Sequence, residues 1–184
     1  PIWLCDVNVA LCLQNENVKN FAVSNILEAI KLRTAGVKGQ ILILGYTPIE
    51  EIDKLLKYDI TQTIVSKEYA EILIQKKIMA KCHLAIDTGM NRIGVSVENV
   101  RECEQIIRKC HKYLNVTGIF THLCVADNED AESLAFTNLQ IERFEKICNL
   151  IKDLNLEYIH YCNSAGGLWH KNIGNLVRLG IVLY

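Results

Sequence analysis

The sequence predicts an α/β domain of the TIM-type (β/α)8 barrel class, incomplete, carrying strands two to eight of the eight. Three observations predict it. Seven strand-like stretches alternate strictly with six helical ones, which implies a mainly parallel sheet with helices outside it. Residues 40–46 are nearly all apolar, as a parallel strand covered on both faces requires. Polar and charged residues gather where the strands end, the rim on which such barrels bind and react. An open doubly wound sheet is the alternative. No G-x-G-x-x-G follows any strand and no Walker-type loop is present, so its nucleotide-binding versions have little support.

In chain order, residues 6–14 form a weak helix, which would follow strand one of a complete barrel, and 18–23 a short strand. Asn25 and Glu28 make a capping-box pattern opening a helix that Gly36 closes. After the strand 40–46, Thr47, Pro48 and Glu50 read as N-cap, first helical position and N3 of the next helix. Residues 61–65 form a strand, Ser66 caps a helix to about residue 79, and 81–87 form the central strand. Ser96 is expected to open a helix whose stripe Val100, Cys103, Ile107, Cys110 and Leu114 has helical period. Residues 116–123 follow as a strand. A long helix from 130 to 154 then carries Leu134, Ile141, Phe144, Cys148 and Ile151 on one stripe. A strand at 158–161, a connection at 164–171 and a last strand at 176–183 complete a single domain, 1–184, truncated at its N-terminus.

The chain has 184 residues, half of them apolar, and a formal charge of −1. That suits one globular domain with a sizeable core. Without a basic excess, nucleic-acid binding is not expected. No window reaches the roughly 18 apolar residues of a membrane span, so no membrane contact is expected from this segment. Eight cysteines occur without a C-x-x-C pair, mostly on apolar positions. This pattern fits free thiols in the cytoplasm, and its spacing gives no metal site.

Five strand ends deliver the candidate site. They are Gly45–Thr47; Asp87 and Thr88 with Arg92 beyond; Thr121 and His122; His160 to Ser164; and Arg178 with Gly180. The set suits a phosphorylated or carboxylated ligand. Arg178 inside an apolar strand is costly unless paired. Arg92 either clamps an anion or pairs with Asp87 or a helix C-terminus. His122 and His160 each read as a core histidine or a site residue. Asn163 and Ser164 read as a helix cap whose N–H groups also make a phosphate nest. Lys81, His83 and His111 read as solvated or packing residues. On residues alone, the function is an anion-binding rim.

The run Asp87-Thr88-Gly89-Met90-Asn91-Arg92-Ile93-Gly94 resembles the DTGM-x-R-x-G segment of the alanine racemase family, the fold-type III pyridoxal-phosphate amino-acid racemases. Further similar pieces are Phe21–Val23, Ile41–Pro48, Gly118–His122, Asn163–Ala165 and Val177–Ile181, in family order. The resemblance implies the N-terminal barrel of a racemase interconverting L- and D-alanine or serine. It implies pyridoxal 5'-phosphate as cofactor, a small amino acid as substrate and a homodimer for the complete protein.

Carried over by position, Arg178 resembles the arginine that hydrogen-bonds the cofactor's pyridine nitrogen. Ser164, with the Gly180 and Ile181 backbones, resembles the phosphate cradle, and Asn163 lies beside it. Arg92 resembles the residue holding the substrate carboxylate and the phenolic oxygen. His122 resembles the histidine stacked near the ring, and His160 another histidine lining the site.

There are departures. Ala85 stands where many members have a lysine bracing the arginine at the position of Arg92. The cofactor lysine at the end of strand one and the opposite-face tyrosine of the C-terminal β domain have no counterpart, and Tyr184 does not match the latter. The isolated chain is therefore expected to be inactive. The alternative is a non-catalytic cofactor-binding module or gene remnant. The strands 18–23 and 176–183 are expected to present open edges.

Overall fold

The computed structural model describes residues 7–170, 174–180 and 182. The expected alternation is present. Helix α1 (Val7–Asn15) precedes β1 (Asn20–Val23), and α2 (Ile26–Thr34) precedes β2 (Gln40–Ile43). A single 3-10 turn (Ile49–Glu51) and a short α3 (Asp53–Lys57) lead to β3 (Thr61–Ile64), followed by α4 (Lys67–Gln75) and β4 (Lys81–Asp87). After β5 (Val95–Ser96) come α5 (Val100–Tyr113), β6 (Asn115–Phe120), α6 (Ala131–Leu150), β7 (Tyr158–His160) and α7 (Ser164–Trp169). Every described pairing is parallel, in the order β1-β2-β3-β4-β6-β7, with β5 beside the end of β4.

Sequence-near order in a parallel sheet makes it curl. Residues of β1 and of the segment 176–179, at opposite edges, line one cavity of about 200 Å³. The fold is the incomplete barrel that the alternation implies. Its helices lie outside, and their apolar faces supply the core with the strands: Leu32, Leu73, Ile107 and Phe144 are fully covered.

Local signals decide most boundaries. Asn25 and Ser66 each accept a backbone N–H three residues on and cap their helices, as anticipated, and Asp130 does the same for α6. The Ser24 N–H also donates to Glu28 Oε2, 2.7 Å away.

Four expectations are corrected. Thr47 does not cap a helix, because its hydroxyl donates to the buried Gln62 Oε1 at 2.5 Å and the chain makes a 3-10 turn instead. Ser96 lies in β5, and Asn99 caps α5 through the Glu102 N–H. The long helix ends at Leu150, before a separate 3-10 turn at Lys152–Leu154, and its buried face is Thr137, Gln140, Phe144 and Ile147. Leu134, expected on the buried stripe, is exposed.

The last strand appears as one bridge, His160 to Leu176, with Asn175 and Arg178 N–H groups donating to Ile159 and Cys162 carbonyls. This segment takes the eighth-strand place beside β7. The first six residues, Lys171, Ile181, Leu183 and Tyr184, on which further expectations fell, lie outside the described residues.

Gly94 explains how β5 comes so close to β4. Its φ is +116°, and a Cβ there would stand 2.7 Å from the Asp87 nitrogen, so only glycine fits. No helix among the described residues is long and apolar enough to cross a membrane.

Candidate active site at the strand ends

Arg178 is the centre of a hydrogen-bonded cluster at the strand ends. Its Nη1 donates to His160 Nδ1 at 2.6 Å, and its Nη2 donates to the Thr121 carbonyl at 2.8 Å and the Tyr161 carbonyl at 3.3 Å. His122 Nδ1 lies 3.4 Å from the same Nη2. The guanidinium also sits over the Phe120 ring, 5.1 Å from its centroid, and Phe120 stacks flat on His160. The cation is thus fixed to the ends of β6 and β7 by a fork of donors that a lysine lacks. Loss of solvent lowers its pKa to about 10, so it stays charged at neutral pH.

Its histidine partners are neutral. Burial, then the Arg178 charge, pushes His122 down to about 4. The same two causes hold His160 well below the usual histidine value. Behind His160, its Nε2 meets His83 Nδ1 at 2.9 Å. His83 is 1% exposed and depressed to about 4 by burial and by Arg178, so it belongs to the interior network and not to the solvated set. Nothing local in the sequence sets it apart from a solvated histidine; its burial follows only once β4 lies between β3 and β6.

At the other end of the rim, Ser164 Oγ accepts the Gly180 N–H at 3.0 Å and the Val182 N–H at 3.5 Å. Asn163 caps α7 through the Gly166 N–H and ties it to β6 by donating to the Leu123 carbonyl at 3.0 Å. A hydroxyl and two backbone donors converge on one spot, a donor set suited to phosphate.

The Asp87–Gly94 loop is shaped from within. Asp87 Oδ1 accepts the Gly89 and Asn91 N–H groups, so Asp87 turns the loop instead of pairing with Arg92. Arg92 is exposed at its tip. Ala85, Met90, Arg92, Phe120 and His122 share a small cavity of about 10 Å³, which puts Arg92 and His122 on the same face above Ala85. Two residues that sequence reasoning missed hold this loop to the barrel. The buried Gln140 donates to Thr88 Oγ1 and the His122 carbonyl and accepts the Cys124 N–H. Arg143 donates to the Thr88 carbonyl at 2.8 Å. The structure therefore brings Arg178, His122 and His160 into contact and pairs Ser164 with Gly180. Asn163 adjoins that pair, and Arg92 lies at the edge.

Residues 5–184 match the family described as alanine racemase, N-terminal domain. The chain belongs to that family. An alanine racemase of Fusobacterium nucleatum is 42% identical over 98% of this chain and 50% of its own length. An amino-acid racemase of Enterococcus faecalis is 39% identical over 97% of the chain and 25% of its own length. The structure of alanine racemase from Clostridium difficile 630 in complex with cycloserine superposes with a TM-score of 0.87 at 33% identity, covering 97% of this chain and 50% of that one. The chain spans half or less of the length of each of these relatives.

Proposed function

We propose that this chain is the barrel half of a pyridoxal-phosphate-dependent amino-acid racemase acting on alanine or serine in the cytoplasm. The observation that carries it is Arg178, charged and clamped between the ends of β6 and β7, in a chain of the alanine racemase family. The residues present fit both ends of the cofactor. Ser164 Oγ and the Gly180 N–H would take the phosphate, with Asn163 fixing the turn beside them. Arg178 would donate to the pyridine nitrogen.

When bound, the cofactor supplies an electron sink that acidifies the substrate's α-hydrogen. What the protein adds is control of that sink. Charged at neutral pH, the Arg178 guanidinium would donate to the ring nitrogen without handing over its proton, which would favour simple racemisation over further chemistry. His122, neutral and held by Arg178 at the rim, presents a flat uncharged ring to the site. Arg92, exposed on the loop above Ala85, is free to meet a substrate carboxylate.

Racemisation needs a proton acceptor on each face of the substrate. On this reading the lysine and the tyrosine that do so lie outside residues 1–184. The lysine-bearing strand would fill the space between β1 and the segment 176–179, where the 200 Å³ cavity lies. The tyrosine would reach the site across a homodimer interface.

The test uses the whole gene product that contains this chain, loaded with pyridoxal phosphate, with L-alanine and L-serine as separate substrates and optical rotation followed. Loss of rotation with either amino acid is the expected result. Cofactor binding without any loss of rotation would mean a non-catalytic binding module, and failure to bind the cofactor would remove the reading altogether.

A further inference from the structure

The buried contacts behind Arg178 run Arg178 Nη1–His160 Nδ1 (2.6 Å), His160 Nε2–His83 Nδ1 (2.9 Å) and His83 Nε2–Gln40 Nε2 (3.3 Å). Gln40 also lies 3.3 Å from Thr61 Oγ1. Each contact needs one proton and one lone pair. A guanidinium only donates, so His160 Nδ1 accepts, and a neutral His160 must carry its proton on Nε2. That proton points at His83 Nδ1, which must accept it, so His83 carries its own proton on Nε2. An amide nitrogen facing His83 Nε2–H would set donor against donor. The count closes only if the amide is turned the other way.

We propose that Gln40 presents its carbonyl oxygen, not its nitrogen, to His83, and that this acceptor fixes both histidines as Nε2–H tautomers and so orients the network that holds Arg178. The Thr61 hydroxyl, which rotates freely, donates to the same oxygen. Each of the four contacts then has one proton and one lone pair, and the three from Arg178 to Gln40 run away from the arginine cation.

Packing encloses both rings. His83 and His160 are each 1% exposed. The Tyr158 ring is 5.2 Å from that of His83, and a Cβ on Gly118 would stand 3.0 Å from His83 Nε2, so the imidazole packs against β6 and β7. The opposite assignment, Gln40 as donor, requires His160 to accept at both nitrogens, an imidazolate, beside a histidine that also needs its own proton. Gln40 is therefore a positioning residue. It touches neither site ligand and acts through two histidines. The tautomers belong to the folded chain whatever the ligand, whereas their bearing on the pyridine nitrogen rests on the function proposed above.

Nitrogen-15 NMR of histidine-labelled whole gene product tests the assignment directly. Both His83 and His160 are expected to show a protonated Nε2 and a pyridine-type Nδ1. Gln40→Glu keeps an acceptor and should retain both tautomers. Gln40→Met removes it and should speed exchange of the His83 Nε2–H with water roughly tenfold, the worth of one net hydrogen bond. A protonated Nδ1 on His83 in the unsubstituted protein would overturn the proposal. So would an exchange rate unchanged by Gln40→Met. Failure of the racemase assay with these tautomers in place would count against the function alone.

Discussion

Arg178→Met in the cofactor-loaded whole gene product is expected to lower kcat by a factor on the order of 10²–10³, the usual loss when one preorganised donor aimed at developing charge is removed. Three consequences combine. The ring nitrogen loses its partner, and His160 Nδ1 and the Thr121 carbonyl lose theirs. His122 loses the contact that fixes its ring at the rim. Arg178→Lys should rescue little, since one ammonium cannot span the Thr121 and Tyr161 carbonyls and His160 together. The stability cost should be smaller, about 1–3 kcal/mol for buried acceptors left without a donor. A folded variant with kcat within threefold of the parent would remove Arg178 from the site.

A second large effect is expected from mild acid. His83, His122 and His160 all have pKa values below the ordinary 6.5, two of them at about 4. The unfolded chain therefore takes up protons that the folded chain refuses. Stability from these groups is complete above pH 6.5 and falls as the pH drops toward 4. A shift from 6.5 to about 4 at the fully buried His83 corresponds to about 3 kcal/mol, a large part of a domain's usual margin of about 5–15 kcal/mol. The groups facing these rings leave no compensation. Arg178 touches two of them and Arg92 approaches His122, so added positive charge meets only positive charge. Urea midpoints at steps between pH 7.5 and pH 4.5 would show it as a steady decline. Asp130, Asp153 and Glu68, whose pKa values are lowered by hydrogen bonds, lose their contribution only as the pH falls through their ordinary values of 3.8 and 4.5, so a decline between pH 6.5 and 5.5 belongs to the histidines. A flat midpoint from pH 6.5 to 4.5 would mean that the histidines are not buried as neutral rings.

What the sequence disclosed and what it hid divide along one physical line. Signals confined to neighbours along the chain were legible. The central strand Lys81–Asp87 has the expected bounds, and the Asn25 and Ser66 caps bond as expected. Signals decided across the barrel were not. Thr47 has every local mark of an N-cap, yet Gln62 on the next strand takes its hydroxyl. Gln140 was passed over because a polar residue does not join an apolar stripe. It is nonetheless fully buried, and counting it rotates the covered face of α6. Asn99 was within reach, since Glu102 three residues on marks the capping box that Ser96 lacks. His83 and Gln40 lay beyond it, because nothing local tells an inward-facing polar residue from a solvated one until the strand's partners are placed.

The same line runs through the site. Arg178 stood out as a charge in an apolar strand, and the structure supplies the pairing that its burial demands. Ser164 and Gly180 are far apart in sequence and meet only because the segment after α7 returns along β7.

The measurement that tests the central claim most directly is the crystal structure of the whole gene product with pyridoxal phosphate bound. The account predicts the phosphate within hydrogen-bond reach of Ser164 Oγ and the Gly180 N–H, and the pyridine nitrogen on the Arg178 guanidinium. A phosphate held elsewhere, or a ring nitrogen facing a carboxylate or water with Arg178 turned away, would contradict it.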